Sequence, residues 1–109
     1  MLHPGADLVA QAGGLHTFIN RKKPIITDSG GFQVFSLQGT SKINDEGVTF
    51  RSHLDGSIRH LTPEVSMKIQ SVLGSDIAMA FDHCPSGLSD ETTLMRAMQR
   101  TTSWAKRCL

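Results

Sequence analysis

Hydrophobic residues form two short runs that alternate along the chain with longer stretches of helical periodicity. The first run, residues 25–27, is β-branched and follows a proline, which predicts a short buried strand. The second run, residues 76–81, predicts another buried strand. Apolar strands separated by a helix are typical of a parallel sheet with right-handed crossovers. The pattern therefore predicts an α/β fold.

Three stretches are predicted to be helical. Residues 1–14 form the first, with Pro4 in its first turn and two glycines at its end. Thr62, Pro63 and Glu64 predict a second helix start, because they supply a capping hydroxyl, a proline and an acid at the positive end of the helix dipole. The apolar face of this second helix, which ends at Gly74, is predicted to comprise Val65, Ile69, Val72 and Leu73.

The last helix and an insertion complete the predicted elements. Ser89 is expected to cap the last helix, with an apolar stripe formed by Leu94, Ala97, Met98, Thr101, Trp104, Ala105 and Cys108. Residues 47–62 predict a β-hairpin that turns at Asp55 and Gly56. Its basic side chains are expected to be solvated: Arg51, His53, Arg59 and His60. Between strand and hairpin, Val34 and Phe35 are predicted to extend the apolar segment, and Gln38-Gly39 to open a loop.

Composition limits the class of protein. The chain has 109 residues, of which 39% are hydrophobic and 19% charged, as expected for one soluble globular domain. Its net charge of +1 gives no broad basic footprint for nucleic acid. The basic cluster at residues 21–23 is either a solvated loop or a phosphate contact. Two cysteines without a disulfide framework, and no visible secretory or membrane-spanning segment, indicate a cytoplasmic protein.

The candidate chemistry lies where the two predicted strands end. The first strand is followed by a carboxylate, a hydroxyl, two glycines, an aromatic ring and an amide, namely Asp28, Ser29, Gly30, Gly31, Phe32 and Gln33. The second strand ends at Asp82. Parallel strands bring their carboxyl ends to one edge of a sheet, where α/β enzymes hold their ligands. We therefore expect both acids and the glycine loop to line one pocket, although each acid could merely cap a turn.

The motif at residues 27–33 resembles the signature of the tRNA-guanine transglycosylases, also called queuine tRNA-ribosyltransferases. Similar segments follow the same order through the chain, at residues 2–15, 47–56, 73–77, 80–82 and 104–107. The resemblance implies a bacterial-type member whose fold is a TIM (βα) barrel. A barrel needs roughly 250 residues, so the resemblance implies that residues 1–109 are a partial barrel, a fragment of one barrel domain, with a β-hairpin insertion.

The resemblance also implies a reaction. Family members exchange guanine at the tRNA wobble position for a deazaguanine base, a queuosine precursor, by double displacement at the ribose C1′. Asp28 would be the catalytic residue that binds the base and moves protons, and Asp82 would accept hydrogen bonds from the guanine edge. Ser29, Gly30 and Gly31 would shape the site, and Phe32 would stack on the base.

Further partners and cofactors are implied in the same way. The partners would be a tRNA anticodon loop and a guanine or deazaguanine base, and the full-length protein would be a homo-oligomer with no membrane partner. The family's zinc ligands and nucleophilic aspartate would lie outside this chain, so we expect it to be inactive alone. His83 stands where bacterial members usually carry glutamate, and Cys84 favours the aminomethyl-deazaguanine precursor over queuine.

Two other functions fit the residues. The chain could be a truncated, non-catalytic paralogue or isoform that binds RNA or an intact subunit. It could also be part of an unrelated hydrolase that uses Asp28 and Asp82 as an acid/base pair.

Overall fold

The computed structural model describes residues 3–33 and 41–109. These residues form a mixed α/β structure with a two-stranded parallel sheet and a three-stranded antiparallel sheet. In chain order the elements are α1 (Ala6–Gln11), α2 (Gly14–Phe18), β1 (Ile26–Thr27), β2 (Lys42–Ile43), β3 (Val48–Arg51), β4 (Ile58–Leu61), α3 (Pro63–Leu73), β5 (Ile77–Ala78) and α4 (Glu91–Arg107). The α/β prediction is confirmed, whereas the predictions for residues 34–39 fall outside the described part.

The parallel sheet pairs the two predicted apolar strands. Ile26 lies opposite Ile77, and Thr27 lies opposite Ala78. The prediction that both strands are buried is wrong, because the side chains of Ile26 and Ile77 are 60% and 55% exposed. Residues 25–27 and 76–81 follow the apolar pattern of a doubly covered sheet, but one face of this pair has no covering layer among the described residues.

The antiparallel sheet contains the predicted hairpin. β3 and β4 pair from Val48 with Leu61 to Arg51 with Ile58, so the hairpin prediction is confirmed. β2 adds a third strand that the sequence pattern did not indicate. Gly47, the residue before β3, lies so close to the end of β4 that a Cβ at this position would overlap the carbonyl oxygen of Leu61. The four basic side chains of the hairpin are exposed, as predicted.

The predicted first helix is shorter than expected, because α1 begins at Ala6, after Pro4. It ends before Gly13 and Gly14, as predicted, and Gly13 has φ of 90°, a left-handed conformation that an α-helix cannot continue through. The sequence did not predict α2, which begins at Gly14. Both short helices pack against α3.

Helix α3 begins and ends as predicted but buries a different face. The Thr62 hydroxyl accepts a hydrogen bond from the Val65 N–H at 3.3 Å, and Gly74 ends the helix with φ of 74°. Val65, Ile69 and Val72 are not buried, and only Leu73 of the predicted face is. The buried positions are Pro63, Ser66, Gln70 and Leu73. The polar pair faces inward because both side chains bond to the strand ends, as described below.

Helix α4 is capped by Asp90 and not, as predicted, by Ser89. The Asp90 carboxylate accepts hydrogen bonds from the Thr93 N–H at 2.8 Å and the Thr93 hydroxyl at 3.1 Å, which a hydroxyl group one residue earlier cannot match. The predicted apolar stripe is buried at Ala97 and Trp104, but Leu94 and Met98 are 41% and 57% exposed. The helix therefore packs mainly through its second half.

The core joins the antiparallel sheet to α4. Its buried members are Val48, Phe50, Phe81 and Trp104. The rings of Phe81 and Trp104 stack with centroids 4.8 Å apart, which confirms Trp104 as core packing. The Trp104 indole also donates a hydrogen bond to the Asp45 carbonyl at 2.7 Å, so α4 holds the turn between β2 and β3. Within the described ranges, no helix is long and apolar enough to cross a membrane.

Candidate functional site

The candidate site lies at the carboxyl ends of β1 and β5. Asp28 directly follows β1, and Asp82 follows β5 by four residues. Because the two strands are parallel and in register, both segments leave the sheet at the same edge. The Met79 N–H donates a hydrogen bond to the Thr27 carbonyl at 3.1 Å, which extends the pairing beyond the strands toward this edge.

The glycine loop after β1 is held by its own polar groups. The Asp28 carboxylate accepts a hydrogen bond from the Ser29 N–H at 2.8 Å. The buried Ser29 hydroxyl accepts one from the Gly31 N–H at 3.3 Å. Gly30 has φ of 81°, a conformation that L side chains rarely adopt, so a glycine is required at this turn. Helical backbone then begins at residue 31. The loop therefore has a defined shape.

Gly31 brings the loop against Asp82. A Cβ at Gly31 would lie 2.9 Å from the Asp82 carbonyl oxygen, 3.1 Å from the Asp82 Oδ1 atom and 3.5 Å from the Phe81 ring. Only glycine permits this approach, since real Cβ atoms do not come within 3.0 Å of a backbone atom. The Asp82 carboxylate therefore lies beside the glycine loop, where it can accept hydrogen bonds from a ligand bound at this edge.

Two further candidate residues of the loop are exposed. Asp28 is exposed, and the side chain of Phe32 is 57% exposed. Exposed aromatic rings and carboxylates are groups that can bind a planar polar ligand. That the Asp28 and Asp82 carboxylates share one cavity stays a prediction.

Ser66 and Gln70 of α3 were missed by the sequence analysis. The Ser66 hydroxyl donates a hydrogen bond to the Ser29 carbonyl at 2.9 Å. The Gln70 amide contacts Thr27 on one strand and Met79 after the other. Their i, i+4 spacing, which puts two polar side chains on one helix face, could have indicated this role. The apolar residues at neighbouring positions instead predicted a different buried face for α3.

The segment after Asp82 is attached to α4. The His83 N–H donates a hydrogen bond to the Thr101 hydroxyl at 3.0 Å, and Arg100 lies 3.2 Å from the His83 Nδ1 atom. Arg100 also pairs with Asp45 at 2.9 Å. Burial lowers the pKa of the His83 imidazole, the Arg100 charge adds to this effect, and the Asp82 charge opposes it. A neutral imidazole fits a guanidinium donor, because Nδ1 can then accept its hydrogen bond.

The described residues do not fit a zinc site. No three His, Cys, Asp or Glu side chains lie close enough together to hold a metal ion in residues 3–33 and 41–109. Cys84 is exposed, and the half-buried Cys108 thiol accepts a hydrogen bond from the Phe81 N–H at 3.4 Å.

Known proteins resemble this chain over its whole length. A queuine tRNA-ribosyltransferase from Ruminiclostridium cellulolyticum is 60% identical over 107 residues, which cover 98% of this chain and 29% of the relative. Proteins of the same name from Moorella thermoacetica and Staphylococcus aureus are each 56% identical over 108 residues, or 99% of this chain, and the match covers 29% and 28% of them. The chain thus spans less than a third of the length of these relatives.

The family model is matched without interruption. The model described as queuine tRNA-ribosyltransferase aligns with residues 1–109, so the match includes the glycine loop, Asp82 and every element described above. The chain therefore belongs to the queuine tRNA-ribosyltransferase family.

Proposed function

We propose that this chain is part of a tRNA-guanine transglycosylase, a pentosyltransferase that exchanges guanine for a deazaguanine base at the wobble position of a tRNA. The observation that carries the proposal is the contact between Gly31 and Asp82 at the carboxyl edge of the parallel strands. It puts a carboxylate against a bare loop backbone, in a family whose name denotes transfer of a base to tRNA.

Asp82 would recognise the polar edge of the base. A guanine-like ring presents adjacent N–H donors, and one carboxylate can accept from two of them together. The Asp82 side chain is half-buried beside Gly31, so hydrogen bonds formed there would be partly shielded from water.

Asp28 and Phe32 would act on the same base. Asp28 is exposed next to a buried serine and could bind the base and accept or return a proton. The Phe32 ring could stack on the base plane, as aromatic side chains do with unpaired nucleotides. The anticodon loop suits such a site because its bases are already largely unstacked and need little energy to enter a pocket.

The remaining parts of the site would come from residues outside this chain. We propose that residues 1–109 are one part of a single barrel domain, with the antiparallel sheet as its insertion. The nucleophilic aspartate and the zinc ligands implied by the family resemblance would lie elsewhere in a cytoplasmic, homo-oligomeric protein. The exposed basic cluster at residues 21–23 would be available for tRNA phosphates.

The test is guanine exchange by a chimera. Residues 1–109 replace the matching segment of the Ruminiclostridium cellulolyticum relative, and incorporation of labelled guanine into tRNA is measured. We expect exchange by the chimera and none by the chain alone. Asp82→Asn should lower kcat/KM for the base by about 100-fold, because it replaces one acceptor with a donor.

Asp7→Asn is the matched control, since Asp7 is an exposed aspartate on α1. It should leave the exchange rate unchanged. A folded chimera that does not exchange guanine would overturn the proposal. Equal losses in Asp82→Asn and Asp7→Asn would remove the assigned role of Asp82.

A further inference from the structure

A buried amide links the two strands that carry the candidate acids. Gln70 is 2% exposed and lies on the face of α3 that covers the carboxyl ends of β1 and β5. Its Oε1 atom accepts hydrogen bonds from the Thr27 hydroxyl at 2.8 Å and the Met79 N–H at 3.0 Å. Its Nε2 atom donates to the Met79 carbonyl at 2.9 Å. One side chain therefore binds the residue before Asp28 and the segment that leads to Asp82.

The orientation of this amide is determined by its partners. The Met79 N–H can only donate and the Met79 carbonyl can only accept, so Oε1 must face the first and Nε2 the second. The amide thus bonds to both backbone groups of Met79, and it shares the N–H with the Thr27 carbonyl. Leucine or methionine at position 70 could fill the volume but could not form these bonds.

Ser66, one turn earlier on α3, extends the connection to the glycine loop. Gln70 Nε2 also lies 3.3 Å from the Ser66 hydroxyl, which donates to the Ser29 carbonyl at 2.9 Å. The Ser29 hydroxyl in turn accepts a hydrogen bond from the Gly31 N–H at 3.3 Å. Hydrogen bonds therefore run from Met79 through α3 to the loop that lies against Asp82.

We infer that Gln70 and Ser66 are positioning residues, which set the distance between the glycine loop and Asp82 and thereby the affinity for the base. Neither would touch the base, since both are 2% exposed beneath the loop. A base that contacts both the loop and Asp82 requires the two to be placed correctly relative to each other, and an error of about 1 Å can cost 100-fold in rate. The inference rests on the proposed function.

The test uses the active chimera described above, with substitutions at three buried positions of α3. Gln70→Leu removes every hydrogen bond of the amide, and Ser66→Ala removes the bond to the Ser29 carbonyl. Leu73→Ala is the matched control, because Leu73 is a buried residue of the same helix whose side chain is not part of this hydrogen-bond chain. Thermal unfolding of each variant sets a temperature at which all are folded, and exchange kinetics are measured there.

We expect Gln70→Leu to raise KM for the free base and to lower kcat/KM by at least about tenfold. KM for tRNA should stay within about twofold, because phosphate contacts elsewhere dominate tRNA affinity. Ser66→Ala should change the same constants in the same direction. Leu73→Ala should lower the unfolding temperature while leaving both KM values near those of the parent chimera.

Gln70→Glu provides a partial restoration, because its carboxyl oxygens can still accept from Thr27 and the Met79 N–H. Its kcat/KM should lie between those of the parent and Gln70→Leu. If Gln70→Leu and Leu73→Ala change the kinetics equally, or if KM for tRNA and for the base rise together, the positioning role is wrong. Failure of the parent chimera to exchange guanine would instead overturn the proposed function.

Discussion

At the residue scale, the Gly31 backbone approaches Asp82 so closely that a side chain at position 31 has no room. The position of a Cβ would be 2.9 Å from a backbone oxygen, which cannot move without shifting the segment after β5. The same Cβ would lie 3.5 Å from the Phe81 ring, which is fully buried and stacks against Trp104. The glycine is thus confined by backbone on one side and core on the other.

Gly31→Ala should therefore destabilise the protein and disturb the site. Overpacking of this kind costs about 1–3 kcal/mol of unfolding free energy, measurable by urea denaturation. Gly87→Ala is the matched control, because a Cβ there meets nothing within 4 Å. In the chimera, Gly31→Ala should also reduce guanine exchange. Equal stabilities of Gly31→Ala and Gly87→Ala would show that a Cβ at position 31 fits without strain.

The ion pair of Glu64 and Arg107 gives a pH-dependent effect. Hydrogen bonds from Arg107, at 2.6 and 2.8 Å, lower the pKa of Glu64 from 4.5 to about 2. A lowered pKa in the folded state stabilises the protein above pH 4.5, and this stabilisation is lost as the pH falls toward 2. Because both side chains are partly exposed, the contribution is about 1 kcal/mol or less.

Glu64→Gln should accordingly lower the denaturation midpoint at pH 7 and have little effect near pH 2. The difference in denaturation midpoint between the parent and Glu64→Gln proteins should decrease as the pH falls from 7 to 2. At pH 7, 1 M salt should also reduce this difference. A difference that is constant from pH 7 to pH 2 would contradict the assigned ion pair.

At the element scale, α4 organises the second half of the fold. Through Trp104, Arg100 and Arg107 it binds the turn at residues 44–47, and through Thr101 it binds the segment after Asp82. The helix therefore connects the antiparallel sheet to the site edge. Its start is defined by Asp90, whose carboxylate accepts two hydrogen bonds from Thr93.

Removal of the Asp90 cap should destabilise α4. Asp90→Ala should lower the unfolding temperature and reduce helix content by circular dichroism, since the first turn loses its acceptor. Ser89→Ala, one residue earlier, should leave both unchanged. If Ser89→Ala destabilised the helix and Asp90→Ala did not, Ser89 would be the cap.

The elements show which features the sequence could predict. Local rules found the hairpin turn, the Thr62 cap and the stop at Gly74, because each depends on neighbours within four residues. They failed for the inward face of α3, where Ser66 and Gln70 are buried by partners 37 and 43 positions away. The six motif residues could be chosen from their chemistry, but the contact between Gly31 and Asp82 depends on the pairing of distant strands.

At the scale of the whole molecule, one face of the parallel sheet is open. Ile26 and Ile77 are register partners on this face, and each is more than half exposed. Met79 is also 47% exposed after β5. Apolar residues at a sheet edge favour association with another surface. The proposed barrel would cover this face with the neighbouring strands and helices of the same domain.

The chain alone should therefore self-associate at micromolar concentration. The double variant Ile26→Lys with Ile77→Lys should shift sedimentation toward the monomer, because two charges oppose burial of the face. Leu54→Lys is the control, since Leu54 is 55% exposed but lies in the turn of the antiparallel hairpin. A monodisperse monomer of the unaltered chain would contradict the importance of the open face.

The long interval between the paired strands has a consequence for the order of folding. Ile25 and Asp76, which join the strands at their amino ends, are 51 positions apart. Closing such an interval costs chain entropy before any contact is gained, whereas the hairpin and α3 form from near neighbours. We therefore expect the glycine loop to reach Asp82 only after the hairpin and α3 have formed, so that the proposed base site would be completed late in folding.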